Sequence, residues 1–165
     1  MAQPNHREMK VELLGKFDVE NPIVVPFPQF KACAGRGYTG FASPAEEFEE
    51  PRLDFNELVI NPDFTYAMRA RGPSLKDIGI MDGAIMAVDS HIPEYDGCVL
   101  IANVNGDMVV KTLSIDEHKR YFLHSANEEL QISPIEITND IDYFKWGVIV
   151  FVINIFHPTV AHRTR

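Results

Sequence analysis

The stretch from Arg69 to Asp89, RARGPSLKDIGIMDGAIMAVD, combines a backbone break with a strand that directly follows it. Gly72-Pro73 interrupts regular structure, because Gly permits unusual φ values and Pro fixes its own φ while restricting the residue before it. A second turn at Met81-Asp82-Gly83 precedes the apolar run from Ala84 to Val88, which predicts a short buried strand. Ser74 therefore lies in a turn next to a rigid element.

Ser74 has two interpretations. In the first, its hydroxyl caps a short helical turn, and Asp77 three residues later completes the capping pair. In the second, Ser74 is a nucleophile at the mouth of the turn. The stretch taken alone favours the cap.

Lys111 also has two interpretations. It lies in the predicted strand from Met108 to Leu113, where a period of two places it on one face with Val109 and Leu113. An edge-strand lysine would lay its stem on apolar surface and keep its ammonium in water. A buried lysine could instead act as a general base, because burial lowers the pKa of a lysine from its usual ~10.4.

These segments together resemble the LexA/UmuD family of self-cleaving SOS proteins, whose signature is a G-x-S turn, a D-G strand and a V-K-x-L strand. The separation of serine and lysine, 111 − 74 = 37 residues, is also similar to that of the family. The similarity spans roughly Pro26 to Phe156. The matching segments are Gly72-Pro73-Ser74, Lys76 to Gly83, Ala87-Val88-Asp89 and Val110-Lys111-Thr112-Leu113.

The resemblance implies a mostly β, LexA/UmuD-like C-terminal peptidase fold of short twisted sheets and hairpins, with an extended N-terminal arm. It also implies a Ser-Lys dyad in which Ser74 is the nucleophile and Lys111 serves as both base and acid. The implied substrate is the protein's own arm, and RecA filaments on single-stranded DNA stimulate the cut. No cofactor or metal is implied.

One turn residue departs from the family. The Gly72-Pro73-Ser74 turn is implied to form the oxyanion hole, but Pro73 has no backbone N–H to donate. Leu75 also occupies a position where the family usually has Met. We expect slower cleavage than is typical of the family.

Two bonds are candidates for the cleavage site, Thr39-Gly40 and Ala34-Gly35. Ala-Gly is the commoner pair in the wider family, because small residues let the extended backbone lie close to the nucleophile. The segment from Gly40 to Ala45, however, resembles the one that follows the cut in the UmuD branch. We choose Thr39-Gly40.

The 165 residues predict a cleavable arm, 1–39, in front of one peptidase domain, 40–165. Pro22, Pro26 and Pro28 argue against a helix in the arm. The arm is also too short for a helix-turn-helix domain, which favours the UmuD branch over a repressor.

The composition argues against several other classes of protein. The formal net charge of −9 argues against strong direct DNA binding, which depends on clustered Lys and Arg. Residues 1–20 lack a secretory signal, so a cytoplasmic location is expected. Cys33 and Cys98 form no C-x-x-C pair, and the six histidines lack metal-ligand spacing.

Short strands are predicted throughout the second half of the chain, and Asn105-Gly106-Asp107 is a hairpin turn. The last strand is the most apolar, but it is shorter than the about 20 residues of a membrane-spanning helix. We interpret it as a buried strand or a dimer interface. The predicted strands are Phe64 to Ala70, Ala84 to Val88, Cys98 to Val104, Met108 to Leu113, Tyr121 to Leu123, Ile135 to Ile137 and Trp146 to Phe156.

The function implied by the resemblance is that of an SOS mutagenesis protein. After self-cleavage it would act as a homodimeric accessory subunit that binds a UmuC-like subunit of a Y-family translesion DNA polymerase. Two alternatives remain open. One is a non-cleaving LexA-fold binding module, and the other is a phage or plasmid repressor core without its DNA-binding domain.

Overall fold

The computed structural model describes residues 10–16, 24–26 and 52–156. Its architecture is mostly β, as the sequence predicts. Four short 3-10 helices connect the strands of the described residues, at Phe55–Leu58, Pro62–Phe64, Lys76–Ile78 and Glu128–Leu130. The strands are β1 (Lys10–Lys16), β2 (Val24–Pro26), β3 (Arg52–Asp54), β4 (Thr65–Arg71), β5 (Ile85–Asp89), β6 (Val99–Val104), β7 (Asp107–Ile115), β8 (Tyr121–His124), β9 (Ile135–Ile137) and β10 (Tyr143–Ile153).

The strands form two antiparallel sheets. The larger has eight strands in the order β1-β4-β5-β10-β6-β7-β8-β9, and the smaller pairs β2 with β3. The two sheets belong to separate compact units. The predicted boundary between residues 39 and 40 lies outside the described residues and stays a prediction.

The strand predictions for β4 to β9 are confirmed to within two residues. The strand β10 extends three residues further towards the N-terminus than predicted, to Tyr143, and ends at Ile153. Pairing explains the extension, because Tyr143 lies opposite Val104 in the ladder with β6. The prediction followed hydrophobic residues, whereas the partner strand sets the real limit.

The edge strand β1 is absent from the sequence predictions. It pairs with β4 from Lys10 opposite Arg71 to Lys16 opposite Tyr66, with a register shift between Leu13 and Gly15. The Leu13 side chain is 60% exposed, so β1 lacks the clean alternation of a half-buried strand. The segment therefore looked like part of an arm.

The β6-β7 hairpin is confirmed. Asn105 and Gly106 both have positive φ, 52° and 91°, as a tight two-residue turn requires. This turn fixes the register that places Leu100 opposite Lys111.

The central strand β10 lies between β5 and β6. At Gly147 a Cβ atom would come within 2.9 Å of the backbone oxygen of Asp89, so only Gly allows this close approach. The apolar run at the end of the chain is thus an interior strand of the sheet.

Two hydrophobic clusters form the core. The side chains of β7 alternate between them, since Val109 and Leu113 belong to one cluster and Val110 to the other. The predicted common face of Val109, Lys111 and Leu113 is confirmed by the pairing of Lys111 with Leu100, which lies in the same cluster as Val109. Leu75, next to Ser74, packs in the cluster of Val110.

A buried carboxylate holds together the two loops that flank β4 and β5. Asp89 is fully buried, and its Oδ1 accepts hydrogen bonds from the backbone N–H groups of His91 at 2.7 Å and Ile92 at 3.2 Å. Its Oδ2 accepts from the Asn61 side-chain amide at 2.8 Å. Three donors therefore depend on one side chain.

We expect Asp89→Ala to destabilise the protein by about 3 kcal/mol or more, because it leaves several donors without their acceptor. Urea unfolding followed by circular dichroism measures the loss. Asp140→Ala removes a carboxylate at an exposed position and serves as the matched control. Equal midpoints for the two variants would contradict this role of Asp89.

Candidate active site

The turn that carries Ser74 connects β4 to β5 and is closed at its base. The Gly83 N–H donates to the Ala70 carbonyl at 2.9 Å, and the Ala70 N–H donates to the Ala84 carbonyl at 2.8 Å. At the start of the turn, Gly72 has φ +106°, and its N–H donates to the Asp82 carboxylate at 2.8 Å. The turn is therefore fixed at both ends.

Ser74 itself is fully buried, with no exposed surface. The capping interpretation is wrong: the N-cap of the 3-10 helix Lys76–Ile78 is Leu75, and no side chain caps it. The Asp77 carboxylate instead accepts the backbone N–H of Glu128 at 2.7 Å. Ser74 is thus a buried residue of the turn and not the N-cap of this helix.

Lys111 is 1% exposed and lies on β7, an interior strand between β6 and β8. The interpretation of Lys111 as an edge-strand lysine with its ammonium in water is therefore wrong. Its Nζ donates a hydrogen bond to the Ser125 hydroxyl at 2.7 Å. A lysine is almost never buried to this degree without specific partners.

The segment 125–127 contacts both predicted site residues or their immediate neighbours. Ser125 accepts the bond from Lys111, and the Ala126 carbonyl accepts the N–H of Asp77 at 3.0 Å. The Asn127 side-chain amide donates to the carbonyl of Pro73 at 2.7 Å. Three consecutive residues therefore link the Ser74 turn to Lys111, although the two are far apart in the sequence.

Sequence analysis missed Ser125 and Asn127. Ser125 has a signal only once the β7-β8 register is known: Thr112 pairs with His124, and one further step in that register places Ser125 opposite Lys111. Asn127 had none, since its bond to the turn spans 54 residues. Its Oδ1 is one of two buried side-chain atoms without a hydrogen-bond partner among the described residues.

An ion pair also connects the Ser74 turn to the residues that follow Asn127. The Lys76 Nζ lies 2.6 Å from a carboxylate oxygen of Glu129 and connects the 3-10 helix after Ser74 to the helix after Asn127. At the end of β4, the buried Arg69 lies 3.8 Å from Glu12 of β1. Both pairs fix the elements that surround the turn.

Two groups with raised pKa values lie in the cluster of Leu100 and Leu113. Burial raises the pKa of the Cys98 thiol, so the thiol stays protonated at neutral pH. Burial also raises the pKa of Tyr143, which donates a hydrogen bond to Glu94 at 2.8 Å. Neither group lies in the Ser74 turn, and both are explained by packing.

Three further sequence predictions concern the cleavage site, a metal site and a membrane span. Both candidate cleavage bonds, Thr39-Gly40 and Ala34-Gly35, lie outside the described residues. Within residues 10–16, 24–26 and 52–156, no three His, Cys, Asp or Glu side chains are grouped so that they could hold a metal ion. No helix of the described segments has the length and apolar character to span a membrane.

Comparison with known proteins gives one family. A family model described as Peptidase S24-like matches residues 30–150. The LexA repressor of Aliivibrio fischeri strain MJ11 is 39% identical over 136 residues, which cover 82% of this chain and 54% of that protein. The LexA repressor of Shewanella piezotolerans is 37% identical with the same coverages, and that of Acidithiobacillus ferrooxidans is 35% identical over 62% and 50%. The chain spans about half the length of these relatives.

Proposed function

Because the chain belongs to the Peptidase S24-like family, we propose that it is a self-cleaving SOS-response protein in which Ser74 and Lys111 form the peptidase dyad. The observation that supports this best is the burial of a serine and a lysine around one short segment, 125–127. Burial is what a lysine base needs, because it favours the neutral amine over the ammonium at neutral pH.

The proposed reaction is acyl transfer followed by hydrolysis. The Ser74 Oγ attacks the scissile carbonyl while the neutral Lys111 amine takes the hydroxyl proton. The resulting ammonium gives that proton to the leaving amine as the peptide bond breaks. Water then hydrolyses the ester on Ser74, again with Lys111 as the base, and the free serine is restored.

The proposed substrate is the chain's own N-terminal arm, cut between Thr39 and Gly40. Intramolecular presentation supplies the substrate at high effective concentration, so no extensive substrate pocket is needed. A RecA filament on single-stranded DNA would then stimulate a cut that each molecule makes once. Gly40 and the residues that follow it are the basis for choosing this bond over Ala34-Gly35.

The finer proposal is a role in mutagenesis of the UmuD kind, with a homodimer of the cleaved chain as an accessory subunit of a UmuC-like Y-family polymerase. The upstream segment from Gly40 to Ala45 and the net charge of −9 support this over a protein that binds DNA directly. Capture of the polymerase subunit by the purified 40–165 fragment tests the role.

A repressor core is the second candidate, and the names of the relatives favour it, since all three are LexA repressors. The same capture experiment separates the two proposals. If the full chain cleaves itself normally but its 40–165 product binds no Y-family subunit, the repressor core is favoured.

We expect Ser74→Ala and Lys111→Ala each to reduce self-cleavage at least about 10³-fold, because a dyad loses nearly its whole rate with either member. The measurement is the intact mass of the chain over time, first at alkaline pH and then with RecA on single-stranded DNA. Ser90→Ala, which removes a hydroxyl bonded to the Phe64 carbonyl, is the matched control. A Lys111→Ala variant that cuts at the wild-type rate would exclude the dyad.

We expect Pro73→Met and Pro73→Asp to accelerate cleavage by about 10-fold or more, because each restores a backbone N–H and one oxyanion donor is worth about 10²- to 10³-fold. The Pro73 carbonyl, which accepts from Asn127 and Lys76, is retained in both variants. Pro93→Met, which makes the same change at an exposed proline outside the Ser74 turn, is the control. Rates no faster than the control would mean that another group completes the oxyanion hole.

We expect the large fragment to begin at Gly40. N-terminal sequencing of the product identifies the bond, and a start at Gly35 would overturn this choice. Gly40→Val should block the cut, because a branched side chain keeps the backbone away from the nucleophile, whereas Gly35→Val should leave it unchanged. Failure of the wild type to cut under either condition would favour a non-cleaving binding module.

A further inference from the structure

We propose that Ser125 is a positioning residue for Lys111, and that its hydroxyl holds the amine in the orientation that the general base requires. The bond between Lys111 Nζ and Ser125 Oγ is 2.7 Å long. This inference rests on the proposed function, because it assigns a role to Ser125 within the same site.

The position of Ser125 follows from the sheet. In the β7-β8 ladder, Leu113 pairs with Leu123 and Thr112 pairs with His124. The next step places Ser125 opposite Lys111, just beyond the last residue of β8. Directly opposed residues on neighbouring antiparallel strands have side chains on the same face and about 5 Å apart, so this contact is built into the register.

The apolar surroundings of the Lys111 amine strengthen its hydrogen bond to the Ser125 hydroxyl. On the same face of β7, the neighbours of Lys111 are Val109 and Leu113, and its partner on β6 is Leu100. All three are buried and apolar, so none can bond the amine. A hydrogen bond in such low-dielectric surroundings is stronger and more orienting than one in water.

Ser125 is itself anchored to the nucleophile turn. The residues that follow it contact Asp77 and Pro73, on either side of Ser74. The acceptor of the Lys111 bond and the turn that carries the nucleophile are therefore parts of one hydrogen-bonded unit. A shift of the segment 125–127 would displace the amine and the serine together.

Several charged and titratable groups on the neighbouring elements bond partners other than Lys111, and β6 carries no charged or titratable residue. They are Glu12 of β1 with Arg69 and Arg71, Lys16 of β1 with the Asp63 carbonyl, Lys76 of the turn with Glu129, Asp77 of the turn with the Glu128 N–H, and His124 of β8 with Ser114. Two further groups lie in the cluster of Leu113, Cys98 before β6 and Tyr121 of β8, and burial raises the pKa of the Cys98 thiol.

Loss of the Ser125 hydroxyl should have two separable effects. An acceptor of this kind favours the ammonium over the neutral amine, so its removal should lower the midpoint of the pH-rate profile by about one pH unit. The loss of orientation should reduce the plateau rate at alkaline pH several-fold. A merely structural role of Ser125 would lower the rate at every pH without moving the midpoint.

The test measures self-cleavage of the full chain between pH 6 and pH 11 for the wild type, Ser125→Ala and Ser125→Thr. The Thr variant keeps a hydroxyl and should restore the midpoint. Ser114→Ala removes a hydroxyl on the same strand pair that bonds His124 at 2.7 Å, and it should leave the midpoint unchanged. If the Ala variant does not fold, Ser125→Cys, with a thiol that accepts weakly, replaces it.

A second readout does not need cleavage. In a chain kept intact by Ser74→Ala and labelled with carbon-13 at the lysine ε-position, NMR follows the titration of Lys111 directly, and Lys111→Ala identifies its signal. An unchanged Lys111 midpoint after the loss of the Ser125 hydroxyl would overturn the inference. Absence of cleavage in the wild type would count against the proposed function alone, because the NMR midpoint still reports on Ser125.

Discussion

The burial of a lysine side chain within an antiparallel sheet is the constraint on which the rest of this structure depends. Lys111 is 1% exposed, so the elements around it must exclude water while one of them offers a polar partner. The interior position of β7 supplies the first requirement, and Ser125 supplies the second. The hairpin turn at Asn105-Gly106 supports both requirements. Its two positive φ values fix the register in which Lys111 pairs with Leu100.

Ser74 and Lys111, the proposed nucleophile and base, are held in place in different ways. Ser74 lies in a turn whose position depends on Gly72, on the Asp82 carboxylate and on the hydrogen bonds that close its base. Lys111 lies in a regular strand, where the ladder sets the face on which its side chain lies and Ser125 accepts a hydrogen bond from its amine. The segment 125–127 bonds both Lys111 and the turn that carries Ser74, so a short irregular stretch matters as much to the site as the sheet does.

Much of this could be predicted from the sequence, and what was missed has identifiable physical reasons. Strands such as β5 and β6 are apolar runs bounded by turn residues, so local patterns reveal them. The edge strand β1 has an exposed Leu13 and a register shift, and its pairing with β4 leaves no local pattern. The role of Asn127 could not be predicted either, because a hydrogen bond to Pro73 across 54 residues follows only from the folded chain.

The edge strand β1 has a consequence for how a cut chain behaves. It precedes both candidate cleavage bonds, and it is held to β4 by a ladder of backbone hydrogen bonds and by Glu12, which lies 2.8 Å from Arg71 and 3.8 Å from Arg69. Hydrolysis at the proposed bond after residue 39 would therefore break the covalent chain without breaking this ladder. Cutting and dissociation would then be two events: an irreversible hydrolysis, followed by a binding equilibrium between two fragments that depends on dilution and salt. A chain cut there would in this respect be a split protein, in which β1 stays paired with β4 until the strand dissociates.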